Sequence, residues 1–421
     1  MTVVGLDDTD SRETGMCTTY AAARLAERIR DAGGSVERLL LVRLNPAVEH
    51  KTRGNAALSV HTDLDPDRAL ALARETLALA QTDDPKTNPG VVVADCEPDA
   101  VPAQVAEFAL DAIREIQDRT TATLLADTAG FARAQRGNGR GLVGALAAVG
   151  AWAAIDDWTY EHIAYREASR WGTEREVDAG SVRAAAEAHY PTVWDTVDSA
   201  SGYPVCVPRT PCPILYGIRG DEPDACRAVA DAIESEPVDR RATFVTNQGT
   251  DVHLQAGTVD SVADDSAYRV TGTVADGPET REGGHVFLTL ADGDARLRCA
   301  AFEPTKSFRD RVRALREGDE LTVCGEVSDG TLKLEKFAVR ELVRTEPATP
   351  DCPDCGATMS SAGRNQGYRC RDCGTSADGK VPEPVARDLE PGWYEVPPVA
   401  RRHIAKPLVR GGFDGVTHPE R

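Results

Sequence analysis

The sequence begins with Thr2-Val-Val-Gly-Leu-Asp-Asp-Thr-Asp10, in which a short apolar strand runs directly into a cluster of acidic residues. The carboxylates of Asp7, Asp8 and Asp10 repel one another at the end of this strand. Such a cluster is tolerated when a hard cation lies among the oxygens, and Mg²⁺ prefers carboxylates combined with phosphates. The stretch therefore indicates a metal site, with an ordinary acidic turn in an acidic protein as the alternative.

A Gly-Met-Cys-Thr-Thr turn over residues 15–19 follows and begins an alanine-rich helix. The start of a helix presents backbone N–H groups without intrahelical partners, and together with the hydroxyls of Thr18 and Thr19 they favour an anion. Three roles are open to Thr18: helix N-cap, ligand of phosphate or metal, or covalent phosphate acceptor. Metal, phosphate and a hydroxyl group in one place indicate phosphoryl chemistry.

The chain has 421 residues and a formal net charge of −20, and arginine greatly outnumbers lysine. Such a surface stays hydrated at high ionic strength, which predicts a salt-loving host. Phosphates ordinarily repel an acidic chain, but at high salt the Debye length falls to roughly 3 Å and local basic patches decide binding. Net charge alone therefore does not decide whether nucleic acid is a partner.

The length of the chain predicts two to four domains. Met1 leads at once into a strand, without the cationic and apolar regions of a secretory signal. The longest apolar run, Gly141 to Ile155, is too short for a membrane span and predicts a buried helix. Of the eleven cysteines, four form a regular cluster, as in a reduced cytosolic protein with one metal site. We therefore expect a cytoplasmic location.

Strands and helices alternate in the N-terminal part, which predicts an α/β layer. The predicted strands are Thr2–Leu6, Val36–Leu44, Asn55–Val60 and Val91–Ala94, and the predicted helices are Thr18–Ala32, Asp67–Gln81 and Ala103–Gln117. The loop Lys51-Thr-Arg-Gly-Asn55 puts two cations, Lys51 and Arg53, just before a strand, as a phosphate clamp requires. Because lysine is rare in this chain and the cations complement the acidic cluster, we favour a functional role for this loop.

Two glycine-containing loops are less decisive. Thr87-Asn-Pro-Gly90 is a tight turn before a strand, and we interpret it as structural. Gly139, Gly141 and Gly144 match the dinucleotide fingerprint in letters, but the preceding Thr128–Gln135 does not resemble a strand. We therefore prefer a flexible, cation-bearing loop that caps the buried helix.

A third part of the chain predicts three strands, a helix and two further strands. These segments are Tyr268–Val274, His285–Leu290, Ala295–Phe302, the helix Phe308–Arg316, Glu320–Val327 and Thr331–Arg340. This order is typical of an OB-fold, a small barrel that commonly binds single-stranded nucleic acid. Any small β-barrel used for docking is the alternative.

The next part contains two Cys-x-x-Cys pairs, Cys352 with Cys355 and Cys370 with Cys373, separated by fourteen residues. Four thiolates at this spacing predict a tetrahedral Zn²⁺ site, although the gap is slightly short for a zinc ribbon. A redox-active pair is the weaker alternative, because a second matching pair has no purpose in a redox motif. Four protein ligands leave no open coordination position, so the predicted site is structural.

Downstream of the cysteines lies the most basic stretch of an otherwise acidic chain. Its cationic residues are Arg401, Arg402, His403, Lys406 and Arg410. Clustered cations commonly contact phosphates, so this stretch predicts a phosphate-contact tail.

Taken in order, several motifs resemble those of the archaeal tRNA(Ile)-agmatinylcytidine synthetase (agmatidine synthase) family. They are Gly-Leu-Asp-Asp-Thr-Asp-Ser at 5–11, Gly-x-Cys-Thr-Thr-Tyr at 15–20, Asn45-Pro46, Lys-Thr-Arg-Gly-Asn at 51–55, Thr-Asn-Pro-Gly at 87–90, Gly-Arg-Gly-Leu at 139–142, Thr-Tyr-Glu at 159–161 with Ile-Ala-Tyr-Arg at 163–166, Pro213 to Gly220, and Thr-Asn-Gln-Gly-Thr-Asp at 246–251. With the barrel and the ribbon, the resemblance covers nearly the whole chain.

The resemblance implies a multidomain α+β architecture in four parts. They are a kinase-like α/β domain that binds ATP and Mg²⁺ (1–120), a ferredoxin-like α+β domain (121–255), an OB-fold β-barrel that binds nucleic acid (256–345), and a zinc ribbon with the basic tail (346–421). The parts inferred from the residues fall in the same sequence.

The resemblance also implies an activity. Enzymes of this family use ATP to join agmatine to C2 of the wobble cytidine in a CAU anticodon, so that the isoleucine tRNA reads AUA. An associated autophosphorylation of a threonine belongs to the same expectation. We expect tRNA and agmatine as partners, and no membrane and no obligate protein partner. Two other functions stay open: a non-catalytic RNA-binding adaptor, and a phosphotransferase that acts on a small molecule.

The site residues implied by the resemblance fall into three groups. The metal and acceptor group comprises Asp7, Asp8 and Asp10 for Mg²⁺ and Thr18 as the phosphate acceptor. The group expected to bind ATP phosphates comprises Lys51, Arg53 and Asn55. Agmatine is dicationic and needs acidic or aromatic partners, for which the candidates are Tyr160, Glu161, Asp198 and Asp221.

Overall fold

Strands and helices alternate through residues 1–246 of the computed structural model, which describes residues 1–13, 15–52 and 54–421. The strands are β1 (Thr2–Asp7), β2 (Val36–Arg43), β3 (Ala56–Thr62), β4 (Gly90–Asp95), β5 (Ala132–Gln135), β6 (Thr159–Arg166), β7 (Val193–Trp194), β8 (Ile214–Gly220) and β9 (Val238–Thr246). The helices are α1 (Thr18–Asp31), α2 (Pro66–Thr76), α3 (Ala103–Arg114), α4 (Arg119–Thr128), α5 (Leu142–Ala154), α6 (Ala179–His189) and α7 (Pro223–Ala232).

Within the described residues, these nine strands form one sheet in the order β5-β4-β1-β3-β2-β9-β6-β8-β7. The predicted alternation of strands and helices is confirmed, although most neighbouring strands run antiparallel. Strands β2 and β9 pair in parallel, with Leu40 opposite Val245 and Leu41 opposite Thr246. This pairing joins the two halves of the sheet, so the segments expected as kinase-like and ferredoxin-like share one hydrogen-bonded layer.

Strand β1 is central because its side chains alternate between two buried faces. Val4 and Leu6 pack with α1 and α2 on one face, while Val3 packs with α3 and α5 on the other. Gly5 lies directly under α5, and a Cβ atom there would be 2.0 Å from the carbonyl oxygen of Ala145. The apolar run predicted as a buried helix is α5, and none of the described helices combines the length and apolarity of a membrane span.

The edge of the sheet differs from the sequence-based expectation. We expected no strand at Thr128–Gln135, yet β5 at Ala132–Gln135 pairs antiparallel with β4, so this expectation is wrong for those four residues. The strand is hard to predict because it has only four residues, Ala-Arg-Ala-Gln, whose apolar side chains are small and which are all exposed or half-buried. Edge strands of this kind are specified by their hydrogen-bond partner more than by their own side chains.

The third part of the chain forms the predicted barrel. Its elements are β10 (Leu254–Ala256), β11 (Ala267–Thr280), β12 (Val286–Asp292), β13 (Ala295–Ala301), α8 (Phe308–Arg313), β14 (Glu320–Ser328) and β15 (Thr331–Glu341). Strand β11 pairs with both β12 and β14, and β15 pairs with both β14 and β13, which closes the sheet on itself. The predicted order of three strands, a helix and two strands is confirmed.

The ribbon consists of short strands around a very small core. These strands are β16 (Thr345–Ala348), β17 (Ser360–Ser361), β18 (Tyr368–Arg369), β19 (Ser376–Ala377) and β20 (Val381–Pro384). Its fully buried apolar cluster contains only Cys352, Met359 and Cys370 among the described residues. So little buried surface cannot offset the cost of ordering the segment, and another source of stability is needed.

The four predicted cysteines supply a metal site. The ligand atoms of Cys352, Cys355, Cys370 and Cys373 all lie within 4.8 Å of one another. Sulfur–sulfur distances of 3.2 Å for Cys352–Cys373 and 3.5 Å for Cys355–Cys370 come close to the ~3.8 Å edge of a tetrahedron with Zn–S bonds of about 2.3 Å. These thiols fit a structural zinc ion, as the spacing predicts.

After the ribbon, the chain returns to the barrel and then to the large sheet. Strand β21 (Gly392–Glu395) pairs with β15, and β22 (Thr417–His418) pairs with β21. Arg401 forms ion pairs with Asp195 and, at 2.8 Å, with Glu395. Arg402 pairs with two barrel carboxylates, those of Glu326 and Glu335.

Arg410 is also engaged inside the molecule, by Asp221 at 2.6 Å and Asp157 at 3.1 Å. The basic stretch expected to contact phosphates therefore pairs three of its arginines with the protein's own acids. The expectation of a phosphate-contact tail is wrong for these residues, because their partners come from segments far away in sequence and only the fold brings them together.

We predict that Cys370→Ser loses zinc and unfolds the ribbon while the large sheet stays folded. Metal binding supplies much of the folding free energy of such small units, and three thiolates hold zinc less tightly than four. Zinc content by elemental analysis and hydrogen exchange over residues 349–389 measure the effect. Cys96→Ser, which removes a thiol outside the cluster, is the matched control. Stoichiometric zinc in Cys370→Ser would contradict the four-thiolate site.

Candidate active site

A cavity of about 770 Å³ opens between the two halves of the large sheet. It brings together most of the predicted site residues: Asp7, Asp8, Asp10, Thr18, Lys51, Asn55 and Glu161 all line it. Arg53 lies outside the described residues. The arrangement supports one shared site for the acidic cluster, the start of α1 and the Lys51–Asn55 loop.

Asp7 is the last residue of β1, and its carboxylate is pressed against α5. A Cβ atom on Gly144 would be 2.0 Å from Asp7 Oδ2, so only glycine allows this contact. Burial, then the neighbouring charges of Asp8 and Asp10, raises the pKa of Asp7 well above its usual range. A cation would relieve this burial of like charges.

Asp8 adopts a left-handed backbone conformation with φ of 60°, which turns the chain out of the strand. Its Oδ2 accepts hydrogen bonds from the backbone N–H of Asn88 at 3.1 Å and from Arg140 Nη2 at 2.9 Å. Burial raises the pKa of Asp8, and the guanidinium of Arg140 opposes that shift. The two glycine-containing loops, 87–90 and 139–142, therefore both hold this carboxylate.

The glycines that match the dinucleotide fingerprint have a different purpose. A Cβ atom on Gly141 would be 2.6 Å from the backbone nitrogen of Gly90 and 2.8 Å from the carbonyl oxygen of Asp7. Together with Gly144, this residue brings the start of α5 into backbone contact with β1 and β4. The pattern reflects close helix–sheet packing beside the acidic cluster.

Asp10 faces the Lys51–Asn55 loop, where Thr52 Oγ1 donates to Asp10 Oδ2 at 2.7 Å. Lys51 Nζ donates to the carbonyl oxygen of Pro46, and burial lowers the pKa of Lys51. Asn55 has φ of 43° and its Nδ2 donates to the carbonyl oxygen of Asn45 at 2.7 Å. The loop is thus fixed at both ends beside the acidic cluster.

The acidic cluster suits a metal that takes part of its shell from a substrate. Among the described residues, only the four ribbon cysteines form a group of three or more ligands all within 4.8 Å of one another. Mg²⁺ usually takes one or two protein carboxylates and completes its shell with phosphates and water. One or two carboxylates of the cluster Asp7, Asp8 and Asp10 fit that mode of binding, since the three together do not form such a group.

Thr18 is not the N-cap of α1. The N-cap is Cys17, which has an extended backbone and no capping hydrogen bond from its side chain, and Thr18 is the first helical residue. Thr9 Oγ1 donates to Thr18 Oγ1 at 3.0 Å, and Thr18 is buried while it lines the cavity. Of the three roles left open by the sequence, the capping role is excluded.

The far wall of the cavity carries a cluster that the sequence analysis missed. Glu161 on β6 accepts from Gln248 Nε2 at 2.5 Å, and it lies 3.6 Å from Arg219 Nε and 4.0 Å from Arg43 Nη2. All three partners are brought in by other strands or loops. The available signal was an arginine within an otherwise apolar strand, as at Arg219 in Ile-Leu-Tyr-Gly-Ile-Arg-Gly.

The other three residues expected to contact agmatine do not line the cavity. Tyr160 packs with the apolar cluster of α6 and α7 on the opposite side of β6. Asp198 is buried and accepts from the backbone nitrogen of Ser201 at 3.0 Å, whereas Asp221 pairs with Arg410 at 2.6 Å. Alternation along β6 explains why Glu161 faces the cavity and its neighbour does not.

Four family models match successive parts of the chain. They are the TiaS TCKD domain (residues 3–64), the TiaS FLD domain (139–253), an OB-fold nucleic acid binding domain (268–335) and the TiaS C-terminal zinc ribbon domain (349–389). The mixed α+β multidomain fold with an OB-fold barrel and a four-cysteine zinc ribbon is thereby confirmed.

Similar proteins cover the full length of the chain. The isoleucine-tRNA 2-agmatinylcytidine synthetase TiaS of Haloquadratum walsbyi is 54% identical, with 100% of each chain covered. The crystal structure of TiaS in complex with its isoleucine tRNA and ATP has a TM-score of 0.89 and 42% identity over 100% of this chain and 99% of the other. That of TiaS with the tRNA, AMPCPP and agmatine has a TM-score of 0.86 and 41% identity, over 100% and 99%. The chain therefore belongs to the TiaS family of isoleucine-tRNA 2-agmatinylcytidine synthetases.

Proposed function

We propose that this chain is an ATP-dependent synthetase that joins agmatine to a cytidine of an isoleucine tRNA and so forms agmatidine. The observation that carries the proposal is the cavity in which the acidic cluster, Thr18 and Lys51 meet. Relatives that match the whole chain form complexes with isoleucine tRNA and ATP, and with the tRNA, AMPCPP and agmatine. A non-catalytic RNA-binding adaptor does not need such a cavity. A phosphotransferase that acts on a small molecule does not need a barrel and a ribbon.

The chemistry of the substrates explains why ATP is needed. The C2 oxygen of cytosine is a poor leaving group, so it must be activated before an amine can displace it. Phosphoryl transfer activates it, and cations around the phosphates stabilise the charge that develops. Lys51, Arg43, Arg140 and Arg219 all line the cavity and supply those cations.

Within this function we propose roles for the acidic cluster and for Thr18. Asp7, Asp8 and Asp10 hold Mg²⁺, which when bound offsets negative charge on the phosphate oxygens. Thr18 accepts a phosphoryl group from ATP: its oxygen bonds to phosphorus, the bond to the ADP oxygen breaks, and the hydroxyl proton leaves to a base. The buried position of its Oγ1 beside the cluster supports this role. Lys51, Arg53 and Asn55 bind the phosphates.

We further propose that the four parts, with limits after residues 120, 255 and 345, divide three tasks among them. The first part binds ATP, the second completes the cavity, and the barrel and ribbon bind tRNA. The basis is the matching order of the family models and the composition of the cavity wall, to which both halves of the sheet contribute.

The function is tested by incubating the protein with the CAU-anticodon isoleucine tRNA, ATP and agmatine at high salt, followed by mass analysis of the nucleosides. We expect a modified cytidine only when all three substrates are present. Turnover of ATP without tRNA, and no change in the cytidine, would instead indicate a small-molecule phosphotransferase.

We predict that Asp8→Asn slows ATP cleavage by roughly two orders of magnitude while tRNA binding persists, the scale of removing one charge partner in a transition state. The change removes one charge and almost no volume, so it tests electrostatics. Asp83→Asn, at an exposed position, is the matched control. If Asp8→Asn cleaves ATP at the wild-type rate, the cluster is an ordinary acidic turn and does not bind a metal.

We predict that Thr18→Val abolishes both agmatidine formation and transfer of label from [γ-³²P]ATP to the protein, because it keeps the shape and removes the hydroxyl. Thr18→Ser keeps the hydroxyl and retains both in part. Thr19→Val is the control and keeps the label, because this variant leaves the Thr18 hydroxyl in place. Label in folded Thr18→Val would show that the acceptor lies elsewhere.

Glu161 is the one agmatine candidate of the four that lines the cavity, so we propose that it meets this dicationic substrate. We predict that Glu161→Gln raises the KM for agmatine by about tenfold, because a charge-assisted hydrogen bond becomes a neutral one. Glu167→Gln, exposed just beyond the same strand, is the control. An increase in the KM for ATP instead would mean that Glu161 only orients Arg43 and Arg219.

A further inference from the structure

The segment from Pro398 to Arg410, here termed the C-terminal strap, runs from the barrel back across the large sheet. Its backbone is hydrogen-bonded to the loop Asn247–Asp251: Gly249 N–H donates to the His403 carbonyl oxygen at 2.8 Å, and Asp251 N–H donates to that of Ile404 at 3.1 Å. The strap is therefore attached to the loop that follows β9.

The barrel fixes the same junction through a buried lysine. Lys336 Nζ donates to both carboxylate oxygens of Asp251, at 2.8 and 2.6 Å, and to the carbonyl oxygen of Lys406 at 2.7 Å. Its side chain is only 1% exposed. Barrel, strap and loop thus meet at one buried charge, and removing a partner of such a charge is costly.

On its inner side, the Asn247–Asp251 loop holds the cavity wall. Asn247 Oδ1 accepts from the backbone N–H of Arg43 at 2.7 Å, and its Nδ2 donates to the Arg43 carbonyl oxygen at 2.9 Å. Gln248 Oε1 accepts from Arg43 Nε at 3.2 Å, while Gln248 Nε2 donates to Glu161. The strap therefore acts on the cavity through this loop.

Two strap residues line the cavity, Val399 and His403, and His403 is the polar one. It lines the cavity and stays exposed to it, whereas its neighbours Ile404 and Ala405 are buried apolar residues. A Cβ atom built on Gly54 would be 2.6 Å from Arg43 Nη1 and 3.4 Å from His403 Cδ2. The imidazole thus lies against the turn of the Lys51–Asn55 loop.

The ring lies near two cations, the guanidinium groups of Arg219 and Arg43. The protein packed around it, and then the guanidinium groups of Arg219 and Arg43, hold the pKa of His403 well below its usual range. A neutral ring can lie beside two cations and a phosphate-binding loop without repelling the cations.

We propose that His403 is a positioning residue of the synthetase, which fixes the Lys51–Asn55 turn and Arg43 for ATP, and that the strap makes the tRNA-binding barrel a structural part of the ATP site. This inference rests on the proposed function. It adds a contribution from the C-terminal end of the chain to a site otherwise formed by residues 7–219.

The test compares His403→Ala with His403→Gln, which keeps a polar planar group, and with Val409→Ala as the control on the same strap, at a half-buried position that does not line the cavity. The readouts are calorimetric binding of AMPCPP, the KM and kcat of agmatidine formation, and hydrogen exchange over residues 51–55 and 247–251. For His403→Ala we expect about tenfold weaker AMPCPP binding and a similar rise in the KM for ATP, the scale of one lost contact.

In His403→Ala, hydrogen exchange should be faster than in the wild type over residues 51–55 and unchanged over residues 247–251. His403→Gln should recover part of the affinity, and Val409→Ala should behave as wild type. Unchanged AMPCPP binding and exchange in folded His403→Ala would overturn the inference. Equally faster hydrogen exchange over residues 51–55 and 247–251 would also overturn the inference, because His403 would then have only a structural role. Failure of the wild type to form agmatidine would overturn the proposed function, while AMPCPP binding and exchange would still decide the role of His403.

Discussion

The close approach of α5 to β1 is the constraint on which the site depends. Glycines at 5, 90, 141 and 144 let the helix backbone touch the sheet, and a Cβ atom at Gly5 or Gly144 would come within 2.0 Å of a neighbouring oxygen. The end of β1 is therefore partly enclosed, and this burial raises the pKa of the half-buried Asp7 carboxyl. Once these charges are buried together, their environment favours a cation and the phosphates that accompany it.

The cavity is lined by several cations, although the molecule as a whole is strongly acidic. The chain carries a net charge of −20, yet four cations line one cavity: Lys51 and Arg140 beside the acidic cluster, and Arg43 and Arg219 on the far wall. Salt screens the long-range field within a few ångströms, but it screens enclosed charges far less. The local arrangement of charges, more than the net charge, therefore decides which substrates enter.

Local pairing of charges also explains how the C-terminal part is attached to the rest of the molecule. Cationic residues are fewer than acidic ones in this chain, and the fold uses Arg401, Arg402 and Arg410 to attach the strap to the barrel and to the second half of the large sheet. The pair of Arg401 with Asp195 is buried, so leaving one of these two partners alone would cost several kcal/mol, roughly 3–5. Domains that exchange substrates across one cavity are held in register by these pairs.

The sequence by itself determined the order of the parts, the zinc ligands, and the acidic cluster with Thr18 and Lys51, because these signals are local in the chain. Strand β5 and the placement of Tyr160 away from the cavity could not be read locally, since pairing and alternation within the sheet decide them. Only the tertiary structure joined Glu161 to Arg43, Arg219 and Gln248, and only it brought His403 to Gly54. The physical reason is the same in each case: these groups come from distant segments, and contacts between them exist only after the sheet and the strap have formed.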